Sequence, residues 1–437
     1  MNGIYKFAKE EEWIDRKRID ISPSFFNKIL ESNIKLVEIR RNEIKFVYVG
    51  VIVYKKEILI VLPKYFNGLF SSEIECIVTL IKVFKKIPSS VIALNKDILF
   101  ISRDASKEYI SEIAIADFII KDFIINGFYT KKEELNNLNS GGNINWNETI
   151  NRIQPIISMG YPLYNNVYNI DIRDDKENEI IRIYEIVLKY CIAMYSELLD
   201  YKFNRINIDD IYRHFKKLGS TSYILSIIQR EMNNTYNERE INLLKMLYYF
   251  FKPNKSYWSD GLSLFGTNSF DFIWEYVCSF VFGNQYDELQ HIIPIPQWRK
   301  MGGNEVENKQ NILKPDILRI YNDSLIIFDS KYYNIELTND TVKNNPGIYD
   351  ILKQYAYELA FKRKGYNINI VNALLYPKEM EELYEVFGIV KYELFDLPPI
   401  INIYISANII WNMFIKNKRI DSGHLVELIN CILSYRR

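Results

Sequence analysis

Cysteine and histidine are scarce in this chain. Its four cysteines, Cys76, Cys191, Cys278 and Cys431, stand far apart and make no C-x-x-C, and the three histidines, His214, His291 and His424, cluster with none of them. That spacing argues against a zinc site and leaves the cysteines as small core residues. No G-x-x-x-x-G-K-[ST] loop occurs, so the chain is not expected to bind or hydrolyse a nucleotide. Long apolar stretches are missing too: no run of about 18 uncharged apolar residues is present, which excludes an obvious membrane span. The opening residues, 1–18, are too highly charged for a secretory leader. A cytoplasmic protein with reduced thiols is therefore expected. Finally, there is no excess charge of either sign. Lys plus Arg and Asp plus Glu number 55 each, so no global field pulls the chain toward nucleic acid, and any such binding must come from a local patch or a partner.

At 437 residues the chain exceeds one typical domain, and the pattern predicts an α/β multidomain protein. Residues 1–140 read as a mixed α/β domain. In it Ser22-Pro23-Ser24 starts a helix, and residues 35–38, 44–54 and 57–62 suggest a small antiparallel meander that ends in Pro63-Lys64-Tyr65. Residues 131–145 are polar and Asn-rich with Gly141-Gly142, the best linker in the chain, and Trp146 just after them is expected to pack at a domain seam. Residues 141–252 then make a linker and helical domain, since apolar residues recur every three to four positions from 174 to 251. Arg205, Arg213, Lys216 and Lys217 form either a phosphate-binding face or, more commonly, a solvated helix side. Residues 253–437 read as a second α/β domain. It includes an acidic helix over 378–387, a strand over 367–376 and closing helices near 409–415 and 425–435.

The chemistry concentrates in residues 313–333. There Pro315-Asp316 is followed, after a spacer, by Asp329-Ser330-Lys331 inside the apolar run 325–333. On a strand, alternate side chains share a face, so Asp329 and Lys331 point the same way, and a hairpin at Asn322-Asp323 brings Asp316 beside them. Two carboxylates that converge repel one another unless a cation joins them, and an oxygen-rich pocket of that kind suits Mg²⁺ or Mn²⁺. Lys331 supplies a further charge that can orient water or stabilise a phosphate in reaction. Asp329 and Lys331 interrupt a run that otherwise looks buried, which argues against a merely solvated surface hairpin.

This arrangement resembles the PD-(D/E)xK nuclease superfamily. Upstream, residues 266–282 read as an amphipathic helix carrying Trp274-Glu275; downstream, Pro346-Gly347 starts a helix over 348–362 that carries Gln354. The resemblance implies that Glu275 adds an acid to the metal site and that Gln354 supports Lys331 or the phosphate, although Glu358 stands where related helices place a tyrosine. It also implies a C-terminal restriction endonuclease-like fold, with Asp316, Asp329, Glu275 and the Ser330 carbonyl as metal ligands. Over most of its length the chain further resembles McrC-like nuclease subunits of LlaJI-type restriction systems. The carrying stretches are residues 48–53, Pro63-Lys64-Tyr65, residues 142–150, Gly266-Thr267, Pro296-Gln297-Trp298, Lys314-Pro315-Asp316, Asp329 to Tyr333, and Lys353-Gln354-Tyr355.

From that resemblance follows an expected division of labour. The chain cleaves double-stranded DNA with Mg²⁺, or Mn²⁺, while an McrB-like AAA+ GTPase ring, typically hexameric, moves on the DNA. The N-terminal domain, with the meander at 44–65 as the natural candidate, docks on the ring and stimulates GTP hydrolysis. Two rivals remain: a self-sufficient repair or recombination nuclease, and a non-catalytic adaptor that regulates a motor.

Overall fold

The computed structural model describes residues 5–32, 34–88, 111–175, 178–204, 206–252, 261–307, 314–363 and 369–436. The chain divides into two compact units, Met1–Ile101 together with Tyr257–Arg437, and Ser102–Ser256. This differs from the three consecutive domains expected at 1–140, 141–252 and 253–437: the two ends of the chain build one body.

The reason is a shared sheet. Strands β1 (Tyr5–Lys9), β2 (Val49–Tyr54), β3 (Glu57–Leu62) and β4 (Leu262–Thr267) align in the order β1-β3-β2-β4. β1 runs parallel to β3, and the other pairs are antiparallel. β4 arrives from the far end of the sequence, so the first segment cannot complete this sheet alone. Gly50 and Gly266 face each other in register where β2 meets β4. A Cβ on Gly266 would lie 2.2 Å from the Val49 carbonyl oxygen, and one on Gly50 2.3 Å from that of Phe265. Any side chain there would force the strands apart. Gly266-Thr267 thus close a strand and do not open the following helix, as the sequence had suggested. The expected meander also splits, because residues 43–46 leave it to pair with Val37–Arg40 and Trp13–Asp15 in a separate sheet. As expected, Ser22 caps the helix Pro23–Glu31, its side chain accepting from the Phe25 N–H.

Helix α1 (Phe270–Phe282) follows β4 and buries Phe270, Ile273, Trp274, Val277, Cys278 and Val281. Phe272 and Tyr276 lie off this stripe and are half-buried. Next come β5 (Ile317–Tyr321) and β6 (Ser324–Ser330), joined by a tight Asn322-Asp323 turn with Asn322 at φ 49°. Helix α2 (Ile348–Arg363) makes the crossover to β7 (Asn369–Lys378), parallel to β6. β8 (Tyr384–Val390) and β9 (Ile400–Ser406) complete a five-stranded sheet in the order β5-β6-β7-β9-β8. β6 is buried at every residue, which accounts for its unbroken apolar run. The expected acidic helix over 378–387 is absent: Tyr-Glu-Val alternates with a strand's period and pairs with β9. Helices α3 (Ala407–Ile415) and α4 (Ser422–Tyr435) close the unit.

Aromatic side chains fasten the N-terminal sheet to this second sheet. The indole N–H of Trp274 donates to the Leu375 carbonyl at 3.3 Å, and that of Trp411 to the Tyr65 hydroxyl at 2.8 Å. The two indole rings lie 5.4 Å apart, and the Phe270 ring lies 5.0 Å from Tyr332. Each such buried ring contributes on the order of 2 kcal/mol through lost water contact, and its polar edge is satisfied. The buried Glu379 carboxylate adds a polar fastening, accepting from the N–H groups of Asn67 and Gly68 at 2.8 and 2.9 Å.

The second unit contains the helices Glu112–Asn126, Glu179–Tyr195, Ile208–Phe215, Thr221–Asn234 and Glu238–Phe251, the last four within the stretch where the helical period predicted them. Each starts at a Ser or Asn whose side chain accepts a backbone N–H. The expected linker is in fact the strand Lys132–Leu138, paired along its length with Tyr168–Asp174. Its polar side chains misled the reading because they bond across the sheet, Asn137 donating to Asp171 at 2.7 Å. Trp146 is 53% exposed, not buried at a seam, with its ring 6.2 Å from that of Tyr164. Arg213 is ion-paired with Asp210 on an exposed helix side with Lys216 and Lys217, while Arg205 lies outside the described residues. No described helix is long and apolar enough to cross a membrane.

Candidate active site

The β5–β6 hairpin sets the site. Ile317 pairs with Phe328, so Asp316, one residue ahead of β5, falls opposite Asp329 near the end of β6. The Asp316 carboxylate accepts the Ser330 N–H at 2.8 Å. Two residues on from Asp329, Lys331 returns to the same side and places its ammonium 2.6 Å from the Asp329 carboxylate. Glu275 reaches the group from α1, where it lies one position past the buried Trp274. The structure therefore brings Asp316, Asp329 and Lys331 together, as their spacing suggested, and adds Glu275, which the resemblance implied.

Gln354 is placed otherwise. It lies on α2 with no exposure, and its amide donates to the carbonyls of Ile327 and Ala373 at 3.1 and 3.3 Å. It clamps the backbones of β6 and β7 behind the site and makes no contact with Lys331. Glu358, one turn on, is likewise enclosed: Asn372 donates to it at 2.9 Å and Arg436 at 2.5 Å. The residue of α2 that does touch Lys331 is Asp350, at 2.8 Å. The sequence reading missed it, although its four-residue spacing from Gln354 places both on one helix face.

Electrostatics follow from this crowding. Burial, with Asp329 and Glu275 nearby, pushes the Asp316 carboxyl up to about 8. Burial, with Asp271 and Asp329, pushes Glu275 up to about 7. Burial works against the charge of Lys331, but Asp329 and Asp350 outweigh it and hold the ammonium above its ordinary value. Lys331 is thus a fixed cation and not a base. Among the described residues no three His, Cys, Asp or Glu side chains converge closely enough to hold a metal ion as they stand. The donor chemistry nonetheless fits a hard divalent ion: half-buried carboxylate oxygens whose charges oppose one another and which gain protons where they lack a cation.

The site opens into a cavity of about 410 Å³ whose walls include Asp271, Glu275, Lys331 and Tyr333. Glu10, Glu11 and Lys64 of the N-terminal segment share those walls, which the sequence reading did not foresee. The one signal was Pro63-Lys64-Tyr65, noted there without a chemical role.

Comparison with known proteins decides the lineage. The profile of the LlaJI restriction endonuclease family matches residues 48–408, more than three quarters of the chain, including Asp316, Asp329, Lys331, Glu275 and Asp350. The chain belongs to that family. This LlaJI-family chain is 30% identical over 439 residues to the "Type II restriction enzyme BsuMI component YdjA" of Bacillus subtilis (strain 168), covering 98% of this chain and 93% of the relative. Among solved structures, it is similar at 12% identity and a TM-score of 0.38 to a chain of the Thermococcus gammatolerans assembly of McrB AAA+ hexamers with bound McrC, covering 98% and 99% of the two chains. A second structure, of the McrBC complex from the same organism, shows 14% identity and a TM-score of 0.28, covering 62% of this chain and 84% of that one. Likeness at those scores carries no argument about this LlaJI-family member.

Proposed function

We propose that this chain is the DNA-cutting subunit of a restriction system, a divalent-metal-dependent endonuclease of the PD-(D/E)xK kind that acts with an McrB-like AAA+ GTPase. The observation that carries the reading is the meeting of Asp316, Asp329, Glu275 and Lys331, of which Glu275 and Lys331 line a polar cavity, in a chain of a restriction endonuclease family. Asp316, Asp329, Glu275 and the Ser330 carbonyl would hold Mg²⁺ or Mn²⁺, which supplies positive charge beside the phosphate and a more acidic bound water. Asp329 and Asp350 hold the Lys331 ammonium in place, so it meets the phosphate already oriented and needs no rearrangement as charge builds. Gln354 ties β6, the strand that carries Asp329, to its neighbour β7 and so holds that acid's strand in place.

A partner is supported by the Bacillus relative, whose name describes one component of an enzyme. The expected docking surface shifts, however. β2 is buried throughout and β3 nearly so, and strands without free faces cannot contact a ring. The surface that suits docking lies in the second unit, where Trp146, Ile157, Met159, Tyr161 and Leu163 are all more than half exposed and Met159 is 97% exposed. Contiguous apolar side chains in water mark an interaction site, and we assign this one to the AAA+ partner. The test is cleavage of plasmid DNA by the purified chain with its partner, GTP and Mg²⁺. Wild type should cut and Lys331→Ala should not; equal cutting by both would refute the site. Cutting without the partner would favour a self-sufficient nuclease.

A further inference from the structure

Lys64 follows β3 in Pro63-Lys64-Tyr65 and sits in the wall of the active-site cavity, only 8% exposed. Its backbone N–H donates to the Tyr332 hydroxyl at 3.1 Å and, at 3.4 Å, to the Glu10 carboxylate, to which Tyr332 also donates. Tyr332 is the neighbour of Lys331 in sequence, so the backbone of Lys64 is tied directly to the D-x-K strand. The Lys64 ammonium lies 4.3 Å from the centre of the Tyr332 ring and 2.9 Å from the Glu11 carboxylate. Its stem is thus fixed, while its charged end faces a side chain that is 51% exposed.

The charges of the cavity wall show what that end is for. Glu10, Glu11, Asp271 and Glu275 line it against two cations, Lys64 and Lys331. A phosphodiester cannot enter a carboxylate-lined cavity without a positive charge to meet it. Lys331 is engaged by two carboxylates, Asp329 and Asp350, at 2.6 and 2.8 Å. Lys64 has one ion-pair partner among the described residues, Glu11, whose side chain is 51% exposed and free to swing into water while that of Lys64 is 10% exposed. Exchanging Glu11 for a phosphate therefore keeps the enclosed ammonium paired with an anion, and the ring of Tyr332 stays beneath it throughout.

We propose that Lys64 is a substrate-binding residue of the nuclease site, presented by the N-terminal sheet, whose ammonium leaves Glu11 for a backbone phosphate of the DNA strand being cut. The inference rests on the nuclease reading above and adds to it a DNA contact from the other end of the chain. Glu11 then acts as a stand-in anion for the phosphate.

The experiment measures duplex binding by the full chain across a range of salt, and cleavage with partner, GTP and Mg²⁺, for wild type, Lys64→Gln, Lys64→Arg and Glu11→Gln. Lys64→Gln should weaken binding about 10-fold and flatten the slope of log K against log salt by about one, the mark of one lost phosphate contact. Its cleavage should suffer mainly through KM, and Lys64→Arg should restore both. Glu11→Gln removes the competing anion and should tighten binding several-fold; because Glu11 is exposed, this variant tests the idea even if Lys64→Gln folds poorly. An unchanged salt slope in Lys64→Gln, or unchanged binding in Glu11→Gln, overturns the assignment. Wild type that cuts while both variants behave as wild type defeats this inference alone; wild type that neither binds nor cuts defeats the nuclease reading and this inference with it.

Discussion

Both units bury carboxylates and leave some large apolar side chains in water, but they gather them in different places. The unit built from both ends of the chain encloses charge: Asp316, Asp329, Glu10, Glu358 and Glu379 are buried or nearly so among aromatic rings and strands. The unit in the middle also buries two carboxylates, Asp117 and Asp122, but leaves Trp146, Ile157, Met159 and Tyr161 in water. Neither follows the rule of apolar inside and charged outside, and each departure costs stability that something else must return. Buried carboxylates with raised proton affinity suit a site that takes up a cation, whereas exposed apolar side chains suit a surface that takes up a partner. On the proposed reading, chemistry and docking are separated along the sequence, with the docking segment inserted between the two halves of the unit that holds the candidate site.

The strongest way to break that separation is to remove the buried charge. Lys331→Ala or Asp329→Ala should lower cleavage by about 10³-fold or more while binding to the AAA+ partner persists, as measured by plasmid cutting and by co-purification. Loss of partner binding in either variant would show that the two functions are not separate. The converse change is Ile157→Asp with Tyr161→Asp, which should weaken partner binding by about 10–100-fold and leave the melting temperature where it was. A collapse of the fold instead would mean that these residues are core.

A finer distinction lies within the catalytic body. Gln354→Ala should cost about 1–3 kcal/mol in denaturant unfolding, because it removes the amide that serves two strand carbonyls. Unchanged stability with lost cleavage would return Gln354 to the site as a direct participant. The smallest expected effect is on pH dependence. Asp316 and Glu275 keep their protons up to about 8 and about 7 when folded, against carboxyl values of about 4 in an unfolded chain. Between those values the folded state binds more protons, so the metal-free chain is most stable below about pH 4 as far as these groups go and loses that contribution as pH rises toward 8. Added Mg²⁺ or Mn²⁺ should therefore raise the melting temperature by a few degrees at pH 8 and by less at pH 6. Calorimetry at the two pH values checks it, and an equal or reversed response would remove the carboxylates from the metal's binding set.

Much of the site was legible because strands and hairpins are local. The spacing of Asp329 and Lys331, and the Asn322-Asp323 turn, placed three groups together from their order alone. Glu275 came from the family resemblance and not from local spacing, and the helix carrying it starts later than expected, since Gly266-Thr267 belong to β4. Gln354 was misread because helical spacing says which residues share a face and not whether that face meets the cavity or the back of a sheet. The acidic stretch at 378–387 was misread for a related reason: its charge suggested a helix, while strand pairing with β9 was invisible in sequence.

By itself, then, the sequence determined the local chemistry: a D-x-K strand beside a P-D turn, helices with their caps, and a chain without phosphate loop or net charge. The tertiary structure alone decided that residues from both ends would form one body, that Asp350 would hold Lys331, and that Glu10, Glu11 and Lys64 would line the same cavity as Lys331. Those contacts span up to 322 positions between Glu10 and Tyr332. They depend on two glycines letting distant strands touch and on a shared aromatic core, and neither leaves a periodic trace within any short stretch of the chain.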